Sequence, residues 1–471
     1  MEKTNIVSEE PKLKLNYKRT FIIGFAFFGI LLLWQVYDSW CPTFLTELFK
    51  EKLGVSNAED VQYFVGIMMA LDNLAALILL PIFGHLSDKT HTKIGKRMPY
   101  ILVGTFICAI TFPFIPVFFH MHNLIGTIIM MAVTVLFAMM YRNPAVALMP
   151  DITPKPLRSK ANGVINIMGY IGGACATVVG IFFVLSSYIN GGWKDGTANI
   201  WIIEIPFIVA SVLMLISALV LIFTINENKI EEEMKEELEL GEKMAEVATS
   251  VEEDDKKGMS KANLTMLLLI LFAEFLWFMA DNGVATFMGN YTLYYLQCST
   301  RNNMINIIVG GLGSMIGFVV GGILASKIGR KWTIFSGLGL SCLSVLLWAI
   351  LSFTIAPDGN FPIYLYVVWF VKGLGMSLVH VNSFPMVVEL CSSKKIGKFT
   401  GYYYASSMAA QTITPIALGS LLLLPGFSFK SLPIYSLVLL LVAIVVFSFV
   451  KNIKTNKVEI KRGLEALDID D

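Results

Sequence analysis

Charge is scarce in this chain. Of its 471 residues only 15% are Asp, Glu, Lys or Arg, whereas about a quarter is usual in soluble domains. Hydrophobic residues make up 55%, and the mean hydropathy is +0.68. The formal net charge of +1 gives no indication of a nucleic-acid partner. These values exclude an ordinary soluble domain and indicate that lipid surrounds most of the chain.

Several signs of enzymes and cofactor sites are also missing. The six cysteines stand far apart without a CxxC pair, so we predict no disulfide framework and no metal site. No GxxxxGK[ST] motif is present, which excludes ATP bound in a P-loop as the energy source. No nucleophile and base stand at a recognisable catalytic spacing. We therefore predict that the chain is not an enzyme and binds no cofactor.

Long apolar runs, by contrast, are abundant. A helix needs roughly 20 apolar residues to cross a bilayer core about 30 Å thick. The sequence offers twelve such segments and predicts an all-α membrane protein with twelve transmembrane helices, at 20–47, 61–86, 99–119, 123–149, 161–188, 200–224, 262–297, 303–326, 332–355, 361–388, 399–424 and 431–450.

One polar segment divides these twelve helices into two sets of six. It contains "KIEEEMKEELELGEKMAEV" and "EEDDKK", which are acidic and partly helix-forming. About twenty polar residues precede the first apolar run, and no small-residue cleavage site follows that run, so we predict no removable signal peptide. The predicted domains are an N-terminal tail (1–19), a six-helix bundle (20–225), an acidic linker (226–261), a second six-helix bundle (262–450) and a C-terminal tail (451–471).

The distribution of Lys and Arg predicts the orientation. The loops after segments 2, 4, 8 and 10 hold thirteen of them, and the loops after segments 1, 3, 5, 7, 9 and 11 hold five. Positive charge accumulates on the cytoplasmic side of membrane proteins. We therefore predict a multi-pass protein of the plasma membrane with the linker and both termini in the cytoplasm.

The two halves repeat each other. "GHLSDKTHTKIGKR" (84–97) returns as "GILASKIGRK" (322–331), and "DITPKPLRSKANG" (151–163) returns as "ELCSSKKIGKFTG" (389–401), both at an offset of 238 residues. The first segments repeat at an offset of 243, where Trp34 and Asp38 correspond to Trp277 and Asp281. Two parallel, pseudo-symmetric six-helix bundles are typical of transporters that rock around a site at mid-membrane.

The loop between segments 2 and 3 resembles the signature loop of the major facilitator superfamily, with a glycine, three residues, an acid and then a basic Gly-Lys-Arg cluster. Its longer form "SDKTHTKIGKRMPYILVGT", together with "RNPAVALMPDITPKPLRSKANGVINIMGYIGG" and "NSFPMVVE", is similar to the glycoside, pentoside and hexuronide cation symporters and the sucrose transporter branch. The resemblance implies a secondary active transporter of the major facilitator fold. It implies symport of a proton with a glycoside such as sucrose or another disaccharide, by alternating access in a monomer.

The signature loop and its surroundings predict a gate. Gly84 allows close helix packing, and Asp88 is predicted to pair with a basic residue of the other half in an outward-open state, or merely to neutralise its own basic loop. An inner network is predicted from Asp151 with Arg158 and from Glu389 with Lys398. The basic residues Arg97 and Arg330 complete the predicted gating set.

Charged groups at membrane depth cost ~2.5–3.5 kcal/mol or more, so each is a candidate functional residue. Sugars are bound by carboxylates and amides, with aromatic rings stacked on the apolar sugar face. The predicted substrate-binding residues are Trp34, Asp38, Arg142, Trp277, Asp281, Asn282, His380 and Asn382. The alternatives are that the two acids are solvated near the outer interface and that the histidine only packs.

Asp72, in the middle of segment 2, is the predicted proton carrier, and a structural hydrogen bond is the alternative. Melibiose-type symporters carry two acids where this chain has Ala76 and Leu80, so sodium coupling of that kind is not expected. Plant sucrose transporters carry an acid on helix 4 where this chain has Val135. Two other functions stay open, namely transport of a different solute or without coupling, and a membrane sugar sensor that signals through the linker.

Overall fold

The computed structural model describes residues 13–250, 261–354, 357–390 and 396–451, and within them it contains helices and no strands. Each predicted membrane segment contains one main helix. The twelve helices are α1 (Tyr17–Leu53), α2 (Gln62–Lys89), α3 (Met98–His120), α4 (Leu124–Asp151), α5 (Arg158–Phe182), α6 (Trp201–Thr224), α7 (Lys261–Asn290), α8 (Thr300–Ile328), α9 (Arg330–Thr354), α10 (Ile363–Val388), α11 (Ile396–Leu422) and α12 (Ser431–Ser448).

Eleven of these twelve helices are long and apolar enough to cross a membrane within the part of the chain that the structure describes. The exception, α11, has 27 residues, which is long enough, but its sequence is rich in Ser, Thr and Tyr. Local signals set the helix ends. Asn16 caps α1 by accepting from the Arg19 amide, and Gly54 ends the helix in the left-handed region at φ 67°. α3 is interrupted at Phe112 and Pro113.

Parts of the predicted domains lie outside the described residues, namely 1–12 of the N-terminal tail, 251–260 of the linker and 452–471 of the C-terminal tail, as does Cys391. The described part of the linker forms two helices, Glu227–Glu233 and Lys235–Ser250. The five described cysteines are free thiols.

The helices form two bundles with separate hydrophobic cores. In the first bundle α1 packs against α5 and α6, and α3 packs against α4. In the second bundle α7 packs against α11 and α12, and α8 and α9 pack against α10. Contacts between the bundles run from α2 to α11, from α5 to α8 and from α1 to α7, which is a pseudo-symmetric set. The predicted two-bundle architecture is confirmed.

The two faces of the molecule differ in how closely the bundles approach. We call the face with the linker helices and the α2–α3 loop the linker face, and the other the opposite face. Near the opposite face, a Cβ on Gly66 of α2 would lie 2.1 Å from the Pro415 carbonyl oxygen of α11, and one on Gly180 of α5 would lie 3.0 Å from the Met304 sulfur of α8. Near the linker face, a Cβ on Gly163 of α5, Gly322 of α8 or Gly401 of α11 would meet no atom within 4 Å. The bundles are therefore in close contact at the opposite face, and these three glycines make no such contact at the linker face.

The close approach at Gly66 makes a first testable prediction. Gly66→Ala places a methyl group against the backbone of the other bundle, and backbone cannot rotate away as a side chain can. We expect the variant to shift the population away from the conformation described here by at least tenfold, which corresponds to about 1.4 kcal/mol. The shift is measured by labelling single cysteines placed at Ser326 near the linker face and at Asn190 near the opposite face.

Gly311→Ala is the matched control, because a Cβ at Gly311 of α8 meets nothing within 4 Å. The control should label like the parent from both faces. Equal labelling of the Gly66 variant and this control would show that close packing at Gly66 does not hold the bundles together.

Candidate substrate and coupling site

The first bundle gathers an acidic and aromatic cluster on α1. Trp34, Tyr37 and Asp38 stand at i, i+3 and i+4, so they share one side of the helix. The Trp34 and Tyr37 rings meet edge to face with centroids 5.6 Å apart. The Tyr37 hydroxyl donates to Oδ2 of Asp72 on α2, at 2.7 Å. The predicted proton carrier therefore lies beside the predicted sugar-binding residues, joined to them by a tyrosine.

Arg142 of α4 completes this cluster. Its guanidinium lies 5.9 Å from the Trp34 ring centroid and attracts the Asp38 carboxylate, while Asp72 and Asp38 repel each other. The Asp38 side chain is exposed, although the residue lies 15 positions before the end of α1 at Leu53. Such a position is about 22 Å along the helix from its end. Asp38 is therefore not a helix-end residue, which was the alternative interpretation.

The second bundle holds a related but different cluster. Asp281 of α7 forms an ion pair with Lys372 of α10, and the Lys372 ammonium lies 5.6 Å from the Trp369 ring centroid. The His380 ring packs against Phe278, with ring centroids 4.9 Å apart. Asp38 is exposed and lies near Arg142, whereas Asp281 is bound in an ion pair with Lys372.

Two predicted substrate-binding residues lie elsewhere. Trp277 is fully buried against Phe447 of α12, with ring centroids 6.1 Å apart. The next residue, Phe278, is the one that faces His380. Asn382 is 1% exposed, and its amide donates to the Leu378 carbonyl at 2.9 Å and the Gly321 carbonyl at 3.3 Å, which ties α10 to α8. In this conformation neither Trp277 nor Asn382 presents its side chain to a solute, and substrate contact by these two residues stays a prediction.

Asn282 differs from these two residues. It is partly buried, and its side-chain Oδ1 has no hydrogen-bond partner among the described residues. This oxygen is itself buried, so a ligand could donate a hydrogen bond to it only after the surrounding helices move. Substrate binding by Asn282, next to Asp281, stays a prediction.

The ion pair in the second bundle leads to a prediction about stability. Asp281→Asn leaves the Lys372 ammonium, whose side chain is 11% exposed, without its anion. Removing one partner of a buried pair costs about 3–5 kcal/mol, and we expect roughly 2 kcal/mol here, because the Asp281 side chain is 33% exposed to solvent that screens it. The thermal unfolding midpoint in detergent should fall in Asp281→Asn. It should recover by at least half in Asp281→Asn with Lys372→Met, and a double variant less stable than the single one would contradict this explanation.

The predicted gate at the linker face is centred on Arg97. Its Nε donates to Oδ2 of Asp151 at 2.8 Å, its Nη1 donates to Oγ of Ser87 at 2.5 Å, and it forms an ion pair with Asp88. All these residues belong to the first bundle, so Asp88 does not pair with the second bundle in this conformation. A Cβ on Gly84 would lie 2.3 Å from Nδ2 of Asn143, which explains the glycine at the start of the loop.

The second bundle repeats this pair with different partners from those predicted. Arg330 Nε donates to Oε1 of Glu389 at 2.6 Å, which corresponds to the Arg97–Asp151 pair. The pairs predicted for these two acids, with Arg158 and Lys398, do not form. Arg158 donates instead to the Thr153 carbonyl at 3.1 Å, and Lys398 lies over the Tyr402 ring. The first loop is longer than the second, so a constant offset does not align their arginines.

The linker joins this network through Glu227, a residue that the sequence did not single out. Its side chain is fully buried, and Oε2 accepts from the Arg97 amide at 2.9 Å, at the start of α3. Burial raises the pKa of the Glu227 carboxyl, while hydrogen bonds from backbone amides and the charge of Lys96 oppose the shift. Gly95, at φ +114°, leaves the space that this carboxyl occupies. The beginning of the linker is therefore built into the signature loop.

Near the opposite face a buried polar network joins the bundles. Thr43 of α1 donates to Oδ1 of Asn290 of α7 at 2.9 Å, and the Asn290 amide donates to Thr46 and to Gln62, each at 3.0 Å. Outside this network lies a cavity of about 690 Å³ between the bundles, whose lining includes Lys50 and Lys194. The network closes the path between the α1 cluster and the opposite face.

Comparison with known proteins agrees with this architecture. The sequence model of the Major Facilitator Superfamily matches residues 20–357 and 270–467. No curated protein sequence matches the chain. Among solved structures, the fold is similar to the inward open xylose transporter XylE from E. coli, with 16% identity, a TM-score of 0.64 and coverage of 96% of this chain and 99% of that one.

Two further solved structures, of transporters named for other solutes, share the fold. An inward-facing bacterial homologue of the iron transporter ferroportin has 15% identity and a TM-score of 0.63, covering 93% of this chain and 99% of that one. A POT family transporter in complex with a thioalcohol conjugated peptide has 10% identity and a TM-score of 0.65, covering 92% and 95%. At these identities the likeness concerns the fold alone. The chain is an integral, multi-pass membrane transporter rather than an enzyme, and it belongs to the major facilitator superfamily.

Proposed function

We propose that this transporter is a symporter that moves a disaccharide such as sucrose together with a proton, by alternating access. The observation that carries the proposal is the α1 cluster, which places an aromatic ring, an exposed carboxylate, a guanidinium and a second acid together halfway along the membrane helices. Resemblance of the signature loop and of residues 142–173 to the sucrose transporter branch supports a glycoside as the solute.

The cluster provides the groups that bind a sugar. The Asp38 carboxylate accepts hydrogen bonds from sugar hydroxyls, and the Arg142 guanidinium donates to hydroxyl and ring oxygens. The Trp34 ring offers an apolar surface for stacking. Asn282 and His380 of the second bundle would bind the other end of the sugar. Asp281 would join them if its ion pair with Lys372 opened and the carboxylate accepted a hydrogen bond from a sugar hydroxyl instead.

Coupling follows from the contact between Asp72 and Tyr37. When Asp72 is ionised, its charge repels the Asp38 carboxylate and fixes the Tyr37 hydroxyl as a donor. Protonation of Asp72 removes both effects, so Asp38 can accept sugar hydroxyls without a second negative charge nearby. Proton and sugar then favour each other's binding, and by thermodynamic linkage the effect is reciprocal.

The conformation described here corresponds to one end of the transport cycle. The charge distribution indicates that the linker face lies in the cytoplasm. The opposite face, where the bundles are in close contact, then lies outside the cell. We propose that the protein works as a monomer in the plasma membrane with both termini inside. A sugar sensor that signals through the linker would bind sugar without moving it.

A second candidate is a solute with both charges, such as an amino acid or a peptide. The observation that favours it is that each bundle places a cation beside an acid, Arg142 near Asp38 and Lys372 beside Asp281. A zwitterion would satisfy both pairs with its ammonium and carboxylate groups. Competition for binding by sucrose, maltose, a dipeptide and an amino acid separates the two candidates.

Uptake into proteoliposomes tests the proposed function. Purified protein is reconstituted, and radiolabelled sucrose and maltose are added with an imposed pH gradient, acid outside, and with the membrane potential clamped. We expect at least one of these disaccharides to accumulate above its external concentration and to lose the accumulation when a protonophore is added. Equilibration without accumulation would contradict coupling, and absence of both uptake and binding would contradict the sugar.

A further inference from the structure

Glu274 is an acid that belongs neither to the α1 cluster nor to the gate. It lies on α7 seven residues before Asp281, which is about 10 Å along the helix. Its side chain is 0% exposed, and both carboxyl oxygens lack a hydrogen-bond partner within the described residues. An ionised carboxylate there would cost at least ~2.5–3.5 kcal/mol. Burial without a partner therefore favours the protonated form of Glu274 in this conformation.

No cation is available to Glu274 from the described helices around it. On α11, Tyr403 interacts with it electrostatically, and Lys398, the one cation of that helix, lies over the Tyr402 ring. On α12, Tyr435 is the one titratable side chain, and it lies near Gly283, further toward the opposite face. On α10, Lys372 is paired with Asp281, and the His380 ring packs against Phe278.

Tyr403, which is near Glu274, is hydrogen-bonded to α10. The Tyr403 hydroxyl shares a hydrogen bond of 2.9 Å with Oγ of Ser383 on α10. Ser383 donates at 3.3 Å to the carbonyl of His380, less than one turn earlier on the same helix. The buried acid is thus next to the helix segment that positions the charged groups of the second bundle.

We propose that Glu274 is a second proton-binding site, which carries a proton in the conformation described here and gives it up elsewhere in the transport cycle. In that step the carboxyl O–H bond breaks, the proton passes to water admitted by bundle movement, and a carboxylate remains. Lys372 is the cation that could stabilise it once a solute hydroxyl binds Asp281. The role in coupling rests on the proposed function, whereas the exchange of a proton at Glu274 does not.

The substitution Glu274→Gln distinguishes an acid that binds and releases a proton during transport from one that stays protonated throughout. Glutamine has the shape of the protonated acid but cannot ionise. If the proton cycles, accumulation of sucrose driven by a pH gradient should fall at least tenfold, while counterflow exchange stays within about twofold of the parent. Glu204→Gln is the matched control, since Glu204 of α6 is also buried, with one unpartnered carboxyl oxygen, but lies in the first bundle. The control should accumulate sucrose as the parent does.

Infrared difference spectra between acidic and alkaline buffer provide a readout independent of transport. We expect the parent to show a carboxyl C=O band that disappears in alkaline buffer and that Glu274→Gln lacks. Undiminished accumulation in Glu274→Gln, joint loss of accumulation and counterflow in folded protein, or spectra identical to the parent's would each overturn the proposal. If the parent shows no proton-driven uptake, the proposed function fails and the infrared band alone decides whether Glu274 exchanges a proton.

Discussion

Replacement of Asp72 by asparagine is expected to abolish accumulation of sucrose against its gradient. Asparagine keeps the size of the side chain and can still accept from the Tyr37 hydroxyl, but it cannot bind and release a proton. Counterflow, in which labelled sugar exchanges for unlabelled sugar without net proton movement, should persist. Both quantities are measured in the same proteoliposomes, so a loss of one and retention of the other does not depend on the amount of active protein.

Asp60→Asn is the control for this substitution, because Asp60 is an exposed acid just before α2. It should accumulate sucrose like the parent. If Asp72→Asn still accumulates sugar to the parental level, the hydrogen bond with Tyr37 is structural and the coupling proton binds elsewhere. If accumulation and counterflow are lost together, Asp72 is required for every conformational step rather than for coupling.

Weaker sugar binding is the expected result of Asp38→Asn. A carboxylate that accepts from a sugar hydroxyl contributes ~1.5–3 kcal/mol, and its loss should raise the Kd about ten- to hundredfold. The measurement is a titration of tryptophan fluorescence in purified protein, because the Trp34 ring lies one helical turn from Asp38 and beneath Arg142. Calorimetry provides an independent Kd.

Asp195→Asn, a substitution in the exposed loop before α6, should leave the Kd unchanged. An unchanged Kd for Asp38→Asn as well would move the binding site away from α1. The next residues to test would then be Arg142, Asn282 and His380.

The fold could be predicted from the sequence because its signals are long and repeated. Twelve apolar runs, one acidic linker and two copies of the same loop leave few alternatives to a pair of six-helix bundles. α11 shows where hydropathy fails to identify a membrane helix. Its Ser and Tyr residues lower the mean hydropathy of the segment, but the helix packs against α2 and α7 as part of the fold.

The site could be predicted only in part. Sequence spacing gives the position of a residue along a helix, but it does not give the neighbour toward which the side chain points. Trp34, Asp38 and Arg142 were predicted as one set, and the structure brings them together. Trp277, the counterpart of Trp34, points into the core of its bundle, where it packs against Phe447. The contact between Tyr37 and Asp72 joins two helices, and no pattern within one helix could reveal it.

The gate illustrates a second limit. A charged loop shows which residues are available for ion pairs but not which ones meet. Arg97 pairs with Asp88 and Asp151, and its amide meets Glu227, which is 130 positions away. A buried acid contacting a backbone amide across such a separation leaves no periodic trace in the sequence.

Coupled proton movement is the most direct test of the proposed symport. Sucrose is added to the outside of lightly buffered proteoliposomes that contain no pH gradient, and the external pH is followed with a dye. Sucrose entering down its gradient should carry protons inward and make the medium alkaline, an effect that a protonophore removes and that empty liposomes lack. Entry of radiolabelled sucrose at the same rate without any change of pH would show that the transporter moves the sugar uncoupled.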